Sequence, residues 1–276
     1  MGTIIKLSKR KSGAGREVKK LLAVIARLRG EGGCPWDRAQ THQTLARYLL
    51  EEAHEAYDML ERGAPDEEVA DELGDVLLQV VLHARLASER GAYDFTAICR
   101  RIRRKMITRH PHVFGIKPLL TPKEVEKSWE ARKTHRRPGG RLGGIPRTLP
   151  ALLRAERVQD RASAVGFDWE DIGGVVEKIQ EEGRELAQAR ETAAEPEIEN
   201  EMGDLLFSLV NLARYLAVSP ERALNRTSDK FIRRFTRIEE KAAQAGRSLS
   251  SYTLAELDAL WNEVKAKDLE DLDQRR

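Results

Sequence analysis

Glu51-Glu52-Ala53-His54-Glu55, followed by Glu72-Leu73-Gly74-Asp75, returns later in the chain as Glu181-Glu182-Gly183-Arg184-Glu185, followed by Glu201-Met202-Gly203-Asp204. The first motif recurs 130 residues on and the second 129 residues on. Two further pairs keep the same order. Lys105 and Arg109 recur as Lys230 and Arg234, and Trp129 and Lys133 recur as Trp261 and Lys265. Matched pairs in one order, with offsets that drift only by loop lengths, indicate a duplicated unit.

Each motif sits in a helical pattern. At about 100° per residue, Leu45, Leu49, Ala53, Ala56 and Leu60 fall in one stripe, with Glu52 and Glu55 beside it. Val69, Leu73, Val76, Leu77 and Val80 form a second stripe, expected to be buried, with Glu72 and Asp75 alongside. Val175, Ile179, Gly183 and Leu186 repeat the first register beside Glu182 and Glu185. Two antiparallel helices joined by a tight loop then bring four carboxylates to one edge of a hydrophobic seam.

The rest of the chain agrees with an all-α reading. Charged residues make up 34% of the 276, apolar residues 41% and aromatics only 5%, a balance that favours amphipathic helices over a β-sandwich or barrel. Net charge is +3, too little excess to draw the chain onto nucleic acid. No apolar run approaches the roughly 20 residues of a membrane span, and the basic N-terminus lacks the apolar stretch of a signal peptide. Cys34 and Cys99 form neither a disulfide framework nor a Cys-x-x-Cys knuckle, and Cys34 reads as a small buried thiol. These features predict a cytoplasmic protein.

Turn signals divide the chain. Residues 1–17 read as a basic tail, 18–135 as a first helical domain, 136–149 as a Gly/Pro-rich linker and 150–276 as a second. Helices are expected over 18–30, 44–61, 67–90, 95–109 and 124–134, then over 150–165, 174–191, 196–216, 220–245 and 254–268. Gly32 to Asp37 reads as a turn, and His110-Pro111 as a helix break. Gly183, in the middle of a helix, costs about 1 kcal/mol relative to Ala.

Clustered carboxylates repel one another, and partial burial raises that cost. A hard divalent cation relieves it, and Mg²⁺ prefers oxygen ligands while sharing itself with substrate phosphates. A lone Glu-Glu-x-x-Glu in so charged a chain is a solvated acidic face; its duplication, with a matching Glu-x-x-Asp each time, favours a cation site. Glu51-x-x-His54 has the spacing of a di-iron ligand pair, but the copy places Arg184 where the second histidine is needed. Lys105 with Arg109, and Lys230 with Arg234, are i,i+4 neighbours that suit a triphosphate, or else belong to solvated basic faces. Trp129 and Trp261 either anchor the core or stack on a base.

With these residues in view, the chain resembles the MazG family of nucleoside triphosphate pyrophosphohydrolases in its two-domain form. Gly33-Cys34-Pro35-Trp36-Asp37, Arg109-His110-Pro111-His112-Val113-Phe114, Gly166-Phe167-Asp168-Trp169 and the doubled acidic motif carry the resemblance. It implies two tandem all-α helical-bundle domains that pair as homodimers. The implied activity is Mg²⁺-dependent hydrolysis of NTPs and dNTPs to monophosphate and pyrophosphate, in nucleotide-pool housekeeping. The metal ligands it implies are Glu182, Glu185, Glu201 and Asp204, with Glu52, Glu55, Glu72 and Asp75 in the first domain. Lys178, Lys230, Arg234, Trp261 and Lys265 match substrate-contacting positions, as do Lys105, Arg109, Trp129 and Lys133. Glu181 is the carboxylate expected to orient or deprotonate the attacking water. The first domain departs at Tyr48, where the second has Lys178. The competing reading is a non-catalytic nucleotide sensor or protein-binding regulator on the same fold.

Overall fold

A computed structural model describes residues 13–115, 121, 140–192 and 195–273, with side chains as far as 268. Trp129, Lys133 and the expected helix over 124–134 lie outside the described residues, as do residues 136–139 of the expected linker. The described residues are helical, with no strand among them. They fall into two compact units, 1–121 and 122–276.

The first unit comprises α1 (Gly13–Arg29), α2 (Pro35–Ala39), α3 (His42–Arg62), α4 (Asp66–Glu89), α5 (Phe95–Arg109) and α6 (Pro111–Phe114). Helix α1 starts five residues before the expected boundary, its first turn taking in Gly13 and Gly15. Helix α3 opens on a reciprocal cap. Thr44 N donates to Thr41 Oγ1 at 3.2 Å, and Thr41 N donates to Thr44 Oγ1 at 2.8 Å. It closes at Gly63, whose φ of 64° is the left-handed conformation that ends helices. Pro65 then caps α4, which carries Asp66, Glu67 and Glu68 in its first turn, where the helix dipole favours negative charge.

Helices α3 and α4 pack together as a hairpin, with α1 and α5 against α4. Ile25, Leu45, Val81, Leu82 and Leu86 form the buried cluster, with Leu21, Leu22, Tyr48, Leu78 and Phe95 against it. Arg29 bridges to Glu89 at 2.9 Å, and Arg85 to the same carboxylate at 2.8 Å. The Arg29 hydrogen bond holds Glu89 below the usual carboxylate range.

The expected buried stripe on α4 is corrected here, and the stripe on α3 is covered only in part. Leu45 and Ala56 are buried, but Leu49, Ala53, Leu73 and Leu77 are exposed, and Leu60 is 57% exposed. Val69, Val76 and Val80 are only half-buried. Helix α1 covers one side of the hairpin, and within the unit nothing described covers the other.

The second unit comprises α7 (Ala151–Ser163), α8 (Ile172–Thr192), α9 (Glu195–Tyr215), α10 (Pro220–Gln244), a 3₁₀ turn (Leu249–Ser251) and α11 (Leu254–Asp273). Asp171 Oδ1 accepts from Gly173 N at 2.7 Å and Gly174 N at 3.3 Å, starting α8. Thr253 and Glu256 cap α11 reciprocally. Helices α8 and α9 form the acidic hairpin, α7 packs on α9 and α10, and α10 packs on α11. Val175 is buried and Ile179, Gly183 and Leu186 are half-buried, whereas Leu206, Phe207 and Leu209 are exposed. A Cβ built at Gly183 meets nothing within 4 Å, so nothing in the unit requires glycine there.

Candidate active site

In the second unit the α8–α9 hairpin brings oxygens of Glu182, Glu201 and Asp204 within 4.8 Å of one another. In the first, α3 and α4 do the same with Glu52, Glu55 and Glu72. Both groups offer oxygen alone, a donor set that suits a hard divalent cation. Glu185 and Asp75 lie outside the tight groups but act on them electrically. Burial foremost raises Glu201 above its ordinary value, and the charges of Glu185, Asp204 and Glu182 add to it, against Lys178. Glu52 is likewise raised, by burial first and then by Asp75, Glu55 and Glu72, against a hydrogen bond from Gln79. A histidine does sit on α4, but His83 Nδ1 meets His42 Nδ1 at 2.7 Å, the two rings stacked.

Glu182 is only 4% exposed, and an unpaired charge so buried is costly. Lys178, one turn earlier, meets Glu182 Oε1 at 2.7 Å and Glu181 Oε1 at 2.8 Å. Both hydrogen bonds raise the lysine above its usual range, the Glu181 bond most. Glu181 itself is exposed. In the first unit Tyr48 takes the lysine's place, packs against the core cluster and meets Trp36 edge-on at 6.1 Å. Glu52 is left with an amide partner instead of an ammonium.

The basic positions do not gather around the carboxylates within the unit. The charges that act most on Glu201 all stand on α8 and α9. Lys230 and Lys265 are exposed, as is Lys105, and Arg109 is half-buried. Arg234 Nε donates to Asp268 Oδ2 at 2.8 Å, with Arg237 on the other oxygen of that buried carboxylate. Trp261 packs on Phe231 with ring centroids 5.0 Å apart, and Arg234 lies 5.7 Å from its ring. Arg234 and Trp261 therefore fasten α11 to α10. Cys34, expected to be buried, is half-buried at the N-cap of α2.

The Arg234–Asp268 contact has a measurable consequence. The Arg234 hydrogen bond holds Asp268 below its ordinary 3.8, and burial opposes it. A depressed folded-state value stabilises the fold above 3.8, and that contribution is lost as pH falls through the folded-state value. Arg234→Ala should lower the unfolding free energy by about 1.5–3 kcal/mol at neutral pH in urea titrations. The gap to wild type should narrow below pH 3.8. Equal stability at neutral pH would count against it.

Sequence reading missed the cavity beside the carboxylates. Its volume is about 590 Å³, and Lys178, Glu182 and Asp204 line it together with Gln159, Ser208 and Asn211. Gln159 Nε2 donates to Phe207 O at 2.7 Å. Asn211 Oδ1 accepts from Arg214 Nε at 3.1 Å, and Arg214 pairs with Asp168. Aligning the two halves supplies the missing signal: Leu82, a core residue, stands 129 residues before Asn211.

The MazG nucleotide pyrophosphohydrolase domain matches residues 40–114 and 173–238, segments that contain the two acidic hairpins. The nucleoside triphosphate pyrophosphohydrolase/pyrophosphatase MazG of Thermotoga maritima is 43% identical over 255 residues, covering 92% of this chain and 98% of the relative. The nucleoside triphosphate pyrophosphohydrolase of Escherichia coli K12 is 42% identical over 261 residues, covering 92% and 99%. That of Mycolicibacterium smegmatis is 30% identical over 206 residues, covering 72% and 59%. With its two acidic hairpins matched in order and its likeness running the length of two relatives, this chain belongs to the MazG nucleotide pyrophosphohydrolase family and carries two of its all-α domains in tandem.

Proposed function

We propose that the chain hydrolyses NTPs and dNTPs to the monophosphate and pyrophosphate in a Mg²⁺-dependent reaction, with the second unit as the working site. The carrying observation is the Glu182–Glu201–Asp204 group, of which Glu182 and Asp204 line a cavity together with Lys178. The names of the full-length relatives support the activity.

Glu182, Glu201 and Asp204, with Glu185 beside them, hold the cation in this reading. Bound Mg²⁺ supplies neutralisation of phosphate charge. Lys178, which lines the cavity beside Glu182, would offer its ammonium to a phosphate oxygen. Glu181, exposed beside Lys178, accepts the proton of the attacking water as the α–β phosphoanhydride is cleaved. Water adds across one P–O–P bond, so the monophosphate and pyrophosphate account for all atoms. Lys230, Arg234, Trp261 and Lys265 enter only through their family positions, and Arg234 already spends its Nε donor on Asp268. Glu52, Glu55, Glu72 and Asp75 form the corresponding first site, where Lys105, Arg109, Trp129 and Lys133 occupy the family positions and Tyr48 replaces the lysine.

A homodimer in which like halves pair belongs to the proposal, supported by the uncovered Leu49, Leu60, Leu73 and Leu77, and by Leu206, Phe207 and Leu209. The halves are taken as 18–135 and 150–276, joined by 136–149. Nucleic acid is not a partner in this reading, since the net charge is only +3. Among the described residues no helix is long and apolar enough to cross a membrane, and Cys34 and Cys99 are unpaired, which suits a cytoplasmic setting and a role in nucleotide housekeeping.

The test is pyrophosphate release from an NTP and dNTP panel with Mg²⁺ and with EDTA. Mg²⁺-dependent release is expected. Nucleotide binding without turnover favours the regulator reading instead. A calorimetric check follows from the raised Glu201 and Glu52. A raised carboxylate binds protons in the folded state that the unfolded chain has released, so the metal-free fold loses stability as pH rises through that window above 4.5. Mg²⁺ should raise the melting temperature at pH 7, and the gain should vanish toward pH 4.5. An equal gain at both values would argue against binding by these carboxylates.

A further inference from the structure

The two acidic hairpins are closed differently at the end away from their connecting loop. In the second unit an ion pair closes it, Arg214 of α9 meeting Asp168 just ahead of α8. In the first unit two imidazoles do so. His42 opens α3, His83 stands near the end of α4, and their Nδ1 atoms meet at 2.7 Å with ring planes 3° apart. Ile172, which opens α8, and Leu212 hold the corresponding positions of the second unit. A polar pair where its copy is apolar is a cost unless the pair is hydrogen-bonded, and this bond depends on one proton.

Elementary chemistry fixes where that proton sits. Arg90 Nη2 lies 3.1 Å from His42 Nε2, and a guanidinium can only donate, so His42 Nε2 is the accepting nitrogen. The proton of a neutral His42 is then on Nδ1, which donates to His83 Nδ1. His83 keeps its own proton on Nε2, an atom that is buried with no hydrogen-bond partner among the described residues. Each ring is thereby held neutral and in one tautomer.

A further proton has no place in this chain. On His42 Nε2 it faces the Arg90 guanidinium. On His83 Nδ1 it sets two N–H groups against each other across 2.7 Å, on a ring whose other N–H is already unpaired. Burial, and then the charge of His42, hold His83 below its ordinary 6.5. Among the described residues no carboxylate pairs with either ring to offset the added charge. The charged groups on the packed elements are engaged elsewhere: Arg29 of α1 and Arg85 of α4 with Glu89, Arg47 of α3 with Tyr48, and Asp94, ahead of α5, with Ala97 N. Asp37 and Arg38 of α2 pair with neither ring. Arg29 keeps Glu89 ionised below the usual carboxylate range, so the tie between α1 and α4 outlasts the histidine pair as pH falls.

We propose that His42, His83 and Arg90 form a proton-released clasp on the first acidic hairpin: mild acid parts the start of α3 from the end of α4, while the second hairpin, closed by Arg214 and Asp168, stays shut.

A histidine depressed in the folded state gives stability that is complete above 6.5 and is lost as pH falls toward the folded-state value. The raised Glu52 of the same unit acts in the opposite sense, so whole-unit melting mixes the two and local readouts are needed.

The test uses the full chain. At about pH 8, long-range ¹H–¹⁵N spectra should show His42 as the Nδ1–H tautomer and His83 as the Nε2–H tautomer. The Thr44 and Leu45 amides, which close the first turn of α3, report opening. Their hydrogen exchange, corrected for its intrinsic pH dependence, should speed up several-fold between about pH 8 and pH 5, with the amides of the first turn of α8 unaffected. His42→Ile with His83→Leu copies the apolar pair of the second unit and should remove that acceleration. If this variant fails to fold, the wild-type tautomers and exchange decide alone. An Nε2–H tautomer on His42 overturns the proposal. So does exchange at Thr44 and Leu45 that ignores pH in the wild type, or that quickens equally in the variant.

Discussion

Glu201→Gln in the full chain should cut pyrophosphate release on the order of a hundredfold or more, whereas Glu72→Gln should change it by no more than about twofold. Both substitutions keep side-chain size and much of the helix propensity, and both remove one negative charge from a carboxylate group. They differ in what stands beside that charge. The group around Glu201 adjoins Lys178 and a cavity, while in the first half the lysine's position is held by Tyr48, which is packed on the core. The stability change should run opposite to the activity change. Burial and three neighbouring carboxylates already press Glu201 toward its neutral form, so a neutral amide relieves repulsion in the metal-free fold. Glu201→Gln should therefore melt at the same temperature or higher without Mg²⁺ and gain less from its addition. Wild-type turnover in Glu201→Gln together with loss in Glu72→Gln reverses the assignment of the working half. Wild-type turnover with both residues replaced rules out the carboxylate–cation reading.

Most of the helices were legible from apolar spacing and breakers, and the doubled acidic motif pointed to the hairpins. Two short helices were not, because Pro35 and Pro111 were read as breakers. A proline ends the helix before it but is well suited to the first turn of the next, and both residues open new helices here. Periodicity located the apolar stripes on α3 and α4 but is silent about what covers them, so Leu73 and Leu77 were expected inside and stand exposed, as do Leu49 and Leu60 of the α3 stripe. Spacing placed Lys230 and Arg234 on one helix face; it held no signal for Asp268, which lies 34 residues beyond Arg234 and claims its guanidinium. Tyr48 was noticed as a departure, and its packing on the core gives that departure a physical meaning. The cavity needs both halves to be aligned, since neither Ser208 nor Asn211 is unusual alone.

Lys178→Met should separate the two duties of that lysine, because they oppose each other. Without a divalent cation, Lys178 neutralises Glu182, whose side chain is 6% exposed, at 2.7 Å. Replacing it with an uncharged side chain of similar length leaves a buried carboxylate facing other carboxylates. Breaking a pair that has one buried member leaves an uncompensated charge, so the variant should melt at a lower temperature than the wild type in EDTA. With Mg²⁺ the sign changes. In the wild type the cation must displace the ammonium from Glu182, and in the variant it meets no competitor. Mg²⁺ binding by the nucleotide-free variant, followed by titration calorimetry, should tighten on the order of tenfold, a difference of about 1.4 kcal/mol. Turnover should move the other way and fall about tenfold or more, since the phosphate loses the cation that Lys178 would bring. Tighter Mg²⁺ binding with slower hydrolysis is a combination that a merely structural salt bridge cannot produce. Unchanged Mg²⁺ affinity and unchanged turnover would reduce Lys178 to a partner of Glu182, and Tyr48 in the first half would then cease to explain any difference between the two sites.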